Sequence, residues 1–568
     1  MRTRRILVAG GVLLGAAAVG AWVAARAIDR RLAQEVAQRA ALLGVTVREA
    51  RFSWVGPLRL EGVTVDRGDG QRLTVDSIGV GWRLGGARDA RTHVRHLSLE
   101  GVHLARGPLA VEWPAVELDV VSWSGGAGEE RIHVRQPSGG EVQVHARTTA
   151  TGREAALLLT HFDLSSASVR WASEPVLAPG VWTGRLSVAQ TGDRLASDAA
   201  LSAEALRLAL PRGLALGNGE YGAPTAVALA WTASRDGASI DVRHVAARVG
   251  GLELTGRGQL NGPGDDRTVE LELAARSDLG AALQTTALRL PAALPMAAGD
   301  ALGTASFDVA VKGPLARPAD LRIVPHLRYD STPQVSQKLS FLRRPFRFHP
   351  PDTEGITLDV RDGAADFIRL SEVPPLFLRT LLISEDAGFY GHPGVDVAEI
   401  PHAWATNVER GTSARGASTI TQQLVKNLFL SNDKSYGRKL EEAALALLVD
   451  AAVPKERILE IYVNVIEWGP NLYGLVPAAR HYFGKTVGEL TPREMVFLVC
   501  VIPSPVRYHQ AYMAGRVGPG MDQLMANLLA KLRSVDALTD DGYFDALTEE
   551  LRFRPEGAPL GLVPAGTD

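Results

Sequence analysis

Hydrophobic and polar positions follow three successive rhythms along this chain. The first is an unbroken apolar run from Ile6 to about Ala25, preceded by Arg2, Arg4 and Arg5. About 20 apolar residues suffice to cross a bilayer as a helix, and a cleavable signal peptide carries a shorter apolar region. Basic residues ahead of the run favour a cytoplasmic N-terminus, and Arg26, Arg30 and Arg31 beyond it weaken that bias without reversing it. Residues 1–28 are therefore predicted as a signal-anchor transmembrane helix with the bulk of the chain periplasmic. The small residues Ala16-Ala17-Ala18 leave cleavage as the alternative.

The second rhythm has period two and runs from about Val45 to about Lys312. Leu58-Arg-Leu60-Glu-Gly62-Val-Thr-Val65 and Leu97-Ser-Leu99-Glu-Gly101-Val-His-Leu104 share one pattern, and Leu252–Leu260 and Phe307–Gly313 alternate as well. Such alternation predicts strands with one apolar and one polar face, separated by turns at the regularly spaced Gly and Pro. A helix is expected just before them, over residues 30–43. Prolines at 314, 318, 325, 333, 345, 350 and 351 then interrupt any regular pattern. Within this stretch Arg343-Arg344-Pro345-Phe346-Arg347-Phe348-His349 is basic and aromatic. It is read as solvated linker, with contact to anionic lipid headgroups as the alternative.

The third rhythm is helical. Ser371 and Pro374-Pro375 mark a helix start, and Leu378, Leu381 and Leu382 place that helix just before Glu385. Further helices are expected over 419–429, 437–449, 455–466, 492–501 and 521–532. The predicted fold class is thus multidomain. A transmembrane helix (1–28) precedes an all-β, elongated, repeat-like region (29–312) and a Pro-rich linker (313–365). A mainly α domain (366–553) and a short tail (554–568) follow. A length of 568 residues accommodates this plan, and a net charge of −2 suggests no nucleic-acid partner. Cys500 is the single cysteine, which rules out an intrachain disulfide and reads as a small buried hydrophobe.

Chemistry concentrates in the helical part. Glu385 ends an apolar helix, where partial burial raises a carboxyl pKa towards the working range of a general base. A solvated Glu385-Asp386 pair is the bland alternative. Ser418 is placed to cap a helix beginning at Thr419, and Ser418, Gln422 and Lys426 then share a face at four-residue spacing. Gln422 and Gln423 offer hydrogen bonds to sugar and phosphate, while Lys426 and the helix N-terminus offer positive potential. Arg438, Lys439 and Glu442 meet on one helical face, which an ordinary intrahelical salt bridge would also explain. A metal site on His392 is not expected, because no second ligand stands at a recognisable spacing.

Taken together and in order, five motifs carry a resemblance. They are Glu385-Asp386-x-x-Phe389-x-x-His392-x-Gly394, Gly416-Ala417-Ser418-Thr419-Ile420-Thr421-Gln422-Gln423, Arg438-Lys439-x-x-Glu442, Lys455-x-x-Ile458-Leu459-x-x-Tyr462-Val463-Asn464 and Pro503-Ser504-Pro505-x-x-Tyr508. The series resembles the peptidoglycan glycosyltransferases, the lysozyme-like transglycosylases of bacterial cell-wall synthesis, over about residues 370–550. Val463 replaces a leucine of the fourth motif. His509-Gln510 stands where Asn-Pro is usual after the fifth, which puts the distal substrate contacts in question. Ser431-x-x-Lys434 has no Lys-Thr-Gly partner, and no transpeptidase domain is expected downstream.

The resemblance implies a monofunctional, inverting enzyme that polymerises lipid II into β-1,4 glycan and releases undecaprenyl pyrophosphate. By the motif matches, Glu385 is the general base and Glu442 the second essential carboxylate. Asp386, Phe389, His392, Ser418, Thr419, Gln422, Gln423, Lys426, Lys434, Arg438 and Lys439 fall at substrate-binding positions, the cations facing the pyrophosphate. No cofactor is required, with room for a divalent cation (Mg or Mn) near Glu442. The implied partners are lipid II, the growing strand, the membrane and other cell-wall synthesis proteins, and the implied location is the inner membrane. In this family the segment 395–415 is partly membrane-facing, and Ile400, Ala403 and Trp404 would supply its apolar patch here, unless they pack in the core. The β region loosely resembles AsmA-like proteins, which implies a curved sheet whose apolar concave face holds lipid. A generic sandwich core is the alternative. Two other functional readings stay open: a non-catalytic lipid-binding or scaffold protein, and a lytic muramidase.

Overall fold

The structure is a computed structural model. It describes residues 45–555 apart from 52–57, 67–70, 83–93, 127, 172–173, 210–223, 287–289, 292–293, 298–299, 318–319, 352, 354, 400, 402–417 and 431–435. The expected anchor and the helix over 30–43 lie outside the described residues. Among the described residues no helix is long and apolar enough to cross a membrane. The chain divides into two compact units, the first comprising Met1–Leu288 and Asp308–Ile323 and the second Arg289–Phe307 and Val324–Asp568.

The first unit is built of β-strands, as the alternation predicts, with one short helix at Leu279–Thr286. Strands β1 (Val45–Arg51), β2 (Leu58–Asp66), β3 (Gln71–Trp82), β4 (Val94–Arg106), β5 (Leu109–Gly126), β6 (Glu129–Arg135), β7 (Glu141–Thr148) and β8 (Gly152–Asp163) form an antiparallel meander. Strands β9 (Ser168–Trp171) and β10 (Glu174–Ala178) form a detour, and β8 pairs instead with β11 (Val181–Thr191). The meander continues through β12 (Arg194–Leu208), β13 (Thr225–Asp236), β14 (Ser239–Val249), β15 (Leu252–Asn261) and β16 (Thr268–Asp278). The detour is a bridge: β9 pairs with the start of β5, and β10 pairs with both β9 and the end of β12. The ladders β5-β6-β7-β8-β11-β12-β10-β9 therefore close into a circuit that returns to β5.

Strict period-two alternation fails at several bulges, and the row shared by β2, β3 and β4 is informative. On β2 the buried apolar side chains are Leu58, Leu60, Val63 and Val65, on β3 Leu73, Val75, Ile78 and Val80, and on β4 Val94, Leu97, Leu99 and Val102. Each strand slips phase by one residue where Gly62, Asp76 and Gly101 stand opposite one another, a row missing from the paired partners on both sides. Gly62 and Gly101 have φ of 61° and 59°, which L side chains rarely adopt. A Cβ on Gly62 would stand 2.9 Å from the Arg48 Cβ, and one on Gly101 would run into the Asp76 carboxylate. The shared Glu-Gly-Val of the two sequence repeats is thus a kink that returns the apolar side chains to the same face. That face is filled core over β2 to β8, with Ile78 1% and Val80 0% exposed.

The second unit is mainly helical. Its helices are α1 (Pro333–Lys338), α2 (Pro375–Glu385), α3 (Ile420–Phe429), α4 (Tyr436–Ala452), α5 (Lys455–Val465), α6 (Leu475–Phe483), α7 (Pro492–Val501), α8 (Pro505–Met513), α9 (Pro519–Ser534) and α10 (Asp540–Thr548). On α5 every residue from Ile461 to Val465 is buried, and α7 is buried from Arg493 to Val499. Helices apolar on all sides belong in a domain centre, and α5 and α7 form this one.

The expected linker over 313–365 is corrected by the structure. Val335, Leu339 and Leu342 are fully buried, and Phe346–Phe348 pairs with Leu358–Val360 in a small hairpin. Arg343 donates to the Ala452 carbonyl oxygen, while Arg457 donates to those of Leu342 and Arg344. The prolines punctuate this structure instead of excluding it. Pro333, for example, opens α1 at a position where no backbone donor is needed.

Candidate functional site

The site is assembled around the first turn of α3. Thr419 is the N-cap: its hydroxyl accepts from the Gln422 amide at 3.1 Å, and the Gln422 side chain accepts from the Thr419 amide at 3.0 Å. This capping box corrects the expected cap at Ser418, and it turns Gln422 inward, 3% exposed, away from the face shared with Ser418 and Lys426. The Thr419 hydroxyl also donates to the Gly394 carbonyl at 2.6 Å.

Glu385, the last residue of α2, reaches the next residue of that turn. Its Oε2 accepts from Gln423 Nε2 at 2.9 Å, and its Oε1 accepts from Ser384 Oγ at 3.0 Å. The Gln423 oxygen accepts from Tyr462 Oη at 2.9 Å. Burial, with the charges of Glu385 and Asp386 adding to it, pushes the Tyr462 phenol well above its ordinary value, so it stays a donor. A donating phenol fixes the Gln423 amide with its NH₂ towards Glu385. Burial raises the Glu385 carboxyl above its ordinary 4.5, and the Gln423 hydrogen bond partly opposes that rise. Cys500, next to the end of α7, has its thiol pushed up to about 12 by burial, with the Glu385 charge adding.

The rest of the first motif supports this geometry. Buried Asp386 sits with Oδ1 2.9 Å from His392 Nε2, and its Oδ2 accepts from the Ile420 amide at 2.9 Å, tying the end of α2 to the start of α3. Phe389 is buried, with Lys455 Nζ 4.4 Å above its ring. Lys455 also donates to the His392 carbonyl at 2.9 Å and to Asp450 Oδ1 at 2.6 Å. The side chain of Asn464 clasps the backbone of Ile368 through two hydrogen bonds, of 2.8 and 2.9 Å. In the fifth motif's region, His509 lies 3.1 Å from the Tyr482 hydroxyl.

The second carboxylate is reached from the other side of the turn. Lys439 Nζ donates to Ser418 Oγ at 2.8 Å and to the buried Glu442 carboxylate. Glu385 and Glu442 are thus joined to the start of α3 through Gln423 and through Ser418–Lys439. Glu467 is raised by burial, and the nearby Lys426 charge lowers it. Arg438 lies on α4, but its side chain, and all of Lys434, fall outside the described residues, as do Ile400, Ala403 and Trp404.

Asp386, His392 and Asp396 form a group whose ligand atoms lie within 4.8 Å of one another. Two carboxylates thus lie beside His392, for which the sequence suggested no second ligand at a recognisable spacing. Asp396 stands four residues after His392, but on a loop rather than a helix. The carboxylates are engaged within the protein, Asp386 Oδ1 by His392 Nε2 and Asp396 Oδ1 by the Ala398 amide at 3.0 Å, while the buried His392 Nδ1 has no hydrogen-bond partner among the described residues. Sequence reasoning also missed Asp450 and the role of Tyr462, although Lys455 and Tyr462 both stand inside the fourth motif.

A buried, pKa-raised carboxylate held by an amide, with a lysine-bridged second carboxylate tied to the same helix start, defines a site suited to acid–base chemistry. The family described as Transglycosylase matches residues 355–528, which lie in the second unit. A biosynthetic peptidoglycan transglycosylase of Brucella suis biovar 1 is 42% identical over 155 residues, covering 26% of this chain and 69% of that protein. Those of Nitrobacter winogradskyi and Mesorhizobium japonicum are each 38% identical, covering 33% and 35% of this chain and 82% of each relative. The chain belongs to the transglycosylase family, and it is a peptidoglycan glycosyltransferase.

Proposed function

We propose that this glycosyltransferase polymerises lipid II at the periplasmic face of the inner membrane, held there by residues 1–28, with 366–553 as its catalytic domain in a lysozyme-like arrangement. The observation that carries the reading is the Tyr462–Gln423–Glu385 chain, which supplies an oriented carboxylate with a raised pKa. In the proposed step the acceptor 4-hydroxyl oxygen attacks the anomeric carbon of the donor. Glu385 takes the hydroxyl proton. The bond to the pyrophosphate oxygen breaks, its electron pair leaves with undecaprenyl pyrophosphate, and attack opposite an α-linked leaving group gives a β linkage. Lys426, Lys434, Arg438 and Lys439 neutralise the pyrophosphate. Ser418, Thr419, Gln422 and the Asp386–Phe389–His392 loop shape the pocket floor. A divalent cation beside Glu442 would assist the same departure.

The test is product analysis after incubating the detergent-solubilised protein with lipid II. The wild type is expected to give glycan polymer, and Glu385→Gln to lose about a hundredfold or more of the rate while staying folded. Full activity in Glu385→Gln would contradict the assignment. A raised carboxyl also suits the acid of a muramidase, which is the second reading. Release of soluble muropeptides from sacculi, without polymer from lipid II, would favour it.

A further inference from the structure

The basic and aromatic stretch Arg343–His349 is not used by the chemistry above, yet it borders a cavity of about 650 Å³ in the second unit. Arg343, Arg344, Arg361, Arg369 and Arg457 all line it, against only Asp362 and Glu460 among the acidic lining residues. Asp359 and Glu372 reach Arg361 and Arg369 from outside the lining, at 2.8 and 3.8 Å. With both of these counted, five arginines face four carboxylates. Arg343 directs its guanidinium at a neutral backbone oxygen, that of Ala452, so no carboxylate balances it there. Arg344 is exposed at the rim. Behind the arginines the lining is apolar: Val360, Phe367, Leu370 and Leu378.

We infer that this cavity receives the phosphate headgroup of an anionic phospholipid, with the glycerol and first acyl carbons against the apolar floor. A phosphate carried on an apolar stem is the ligand class that uses both surfaces. A free phosphate would leave the apolar floor uncovered, and a neutral lipid would leave the excess guanidinium charge unmatched. Guanidinium groups are matched to phosphate oxygens by their paired donors. The volume lies in the range of small-ligand sites. Leu378 is on α2, seven residues before Glu385, or about 10 Å along the helix. A lipid held here would seat the helix that carries the base beside the bilayer surface. The inference rests on the proposed action of the enzyme at a membrane.

The experiment uses the full chain in a neutral detergent, titrated with dioctanoyl phosphatidylglycerol, dioctanoyl phosphatidylcholine or inorganic phosphate. Bound lipid is counted by native mass spectrometry, and protection of residues 343–370 is read by hydrogen exchange. Phosphatidylglycerol is expected to bind saturably at one site and to protect that segment. The double variant Arg344→Glu/Arg361→Glu should weaken binding about tenfold or more, and Arg344→Gln alone by a smaller factor. The single variant keeps the test valid if the double one fails to fold. Equal binding of phosphatidylcholine, binding unchanged in a folded variant, or equal protection by inorganic phosphate would each overturn the inference. Binding is read without turnover, so its failure leaves the assignment of glycosyl transfer standing.

Discussion

The sheet unit and the helical unit treat polar side chains in opposite ways. Among the described residues, the buried polar or charged side chains of the first unit are Gln71 and Gln136, whereas the second has nine, among them Asp386, Gln422, Glu442 and Asn464. Carboxylates raised by burial are found in the second unit among the described residues, although Asp362 and Glu489 of that unit are lowered by their hydrogen bonds as in the sheet. Glu129 and Glu141 in the sheet lie below their ordinary value, held down first by side-chain hydrogen bonds from His145 and Arg135 respectively. Glu385, Asp450 and Glu467 lie above theirs, and burial is the leading cause for each. Burying a polar group costs free energy unless it is bonded, so a domain that buries this many is organised by what those groups do. The sheet is organised by its apolar face alone.

The comparison is broken most forcefully at Asp386. Asp386→Ala leaves the His392 ring and the Ile420 amide without their buried acceptor, and is expected to destabilise the helical unit by about 3 kcal/mol, read as a denaturant midpoint. In the sheet the sensitive position should be a glycine instead. Gly101→Ala places a side chain at φ 59° against Asp76 and is expected to cost about 2 kcal/mol in the same measurement. Gln423→Ala removes a hydrogen bond that holds the Glu385 carboxylate, so polymerisation should fall about tenfold.

Glu385→Gln sharpens the contrast further by separating stability from activity. A carboxyl whose folded pKa is raised binds more protons folded than unfolded, so wild-type stability falls as pH rises from 4.5 through the folded pKa. The variant lacks that loss. Its unfolding midpoint should exceed the wild type's at neutral pH and converge with it under acid. At the small end, Glu141→Gln in the sheet should lower the unfolding midpoint at neutral pH only slightly, because solvent screens the pairing of Glu141 with Arg135 and His133.

How much of this was legible in the chain depended on the range of the interaction. The three-residue spacing of Lys439 and Glu442 and the apolar run before Glu385 are local, and both are where their spacing places them. The Thr419-x-x-Gln422 capping box was also local. Two adjacent residues of capping type, Ser418 and Thr419, obscured it, and only the partner three positions on decides between them. The contacts that make Glu385 a candidate base span 38 and 39 residues, from Gln423 to Glu385 and from Tyr462 to Gln423, and no single-helix spacing encodes them. The kink row needed three strands in register before Gly62, Asp76 and Gly101 could be seen to face one another. The structured stretch after Val324 was hidden by its prolines, although Val335, Leu339 and Leu342 already followed a helical stripe.

The central claim is that burial makes Glu385 the base, and the pH dependence of kcat/KM for lipid II polymerisation tests it most directly. A base must be ionised to act, so activity should rise with pH along an acidic limb whose midpoint lies above the ordinary glutamate value of 4.5. In Gln423→Ala that limb should move to still higher pH, because the lost hydrogen bond favoured the ionised form. A limb at or below 4.5, or one unmoved in a folded Gln423→Ala protein, would contradict the account.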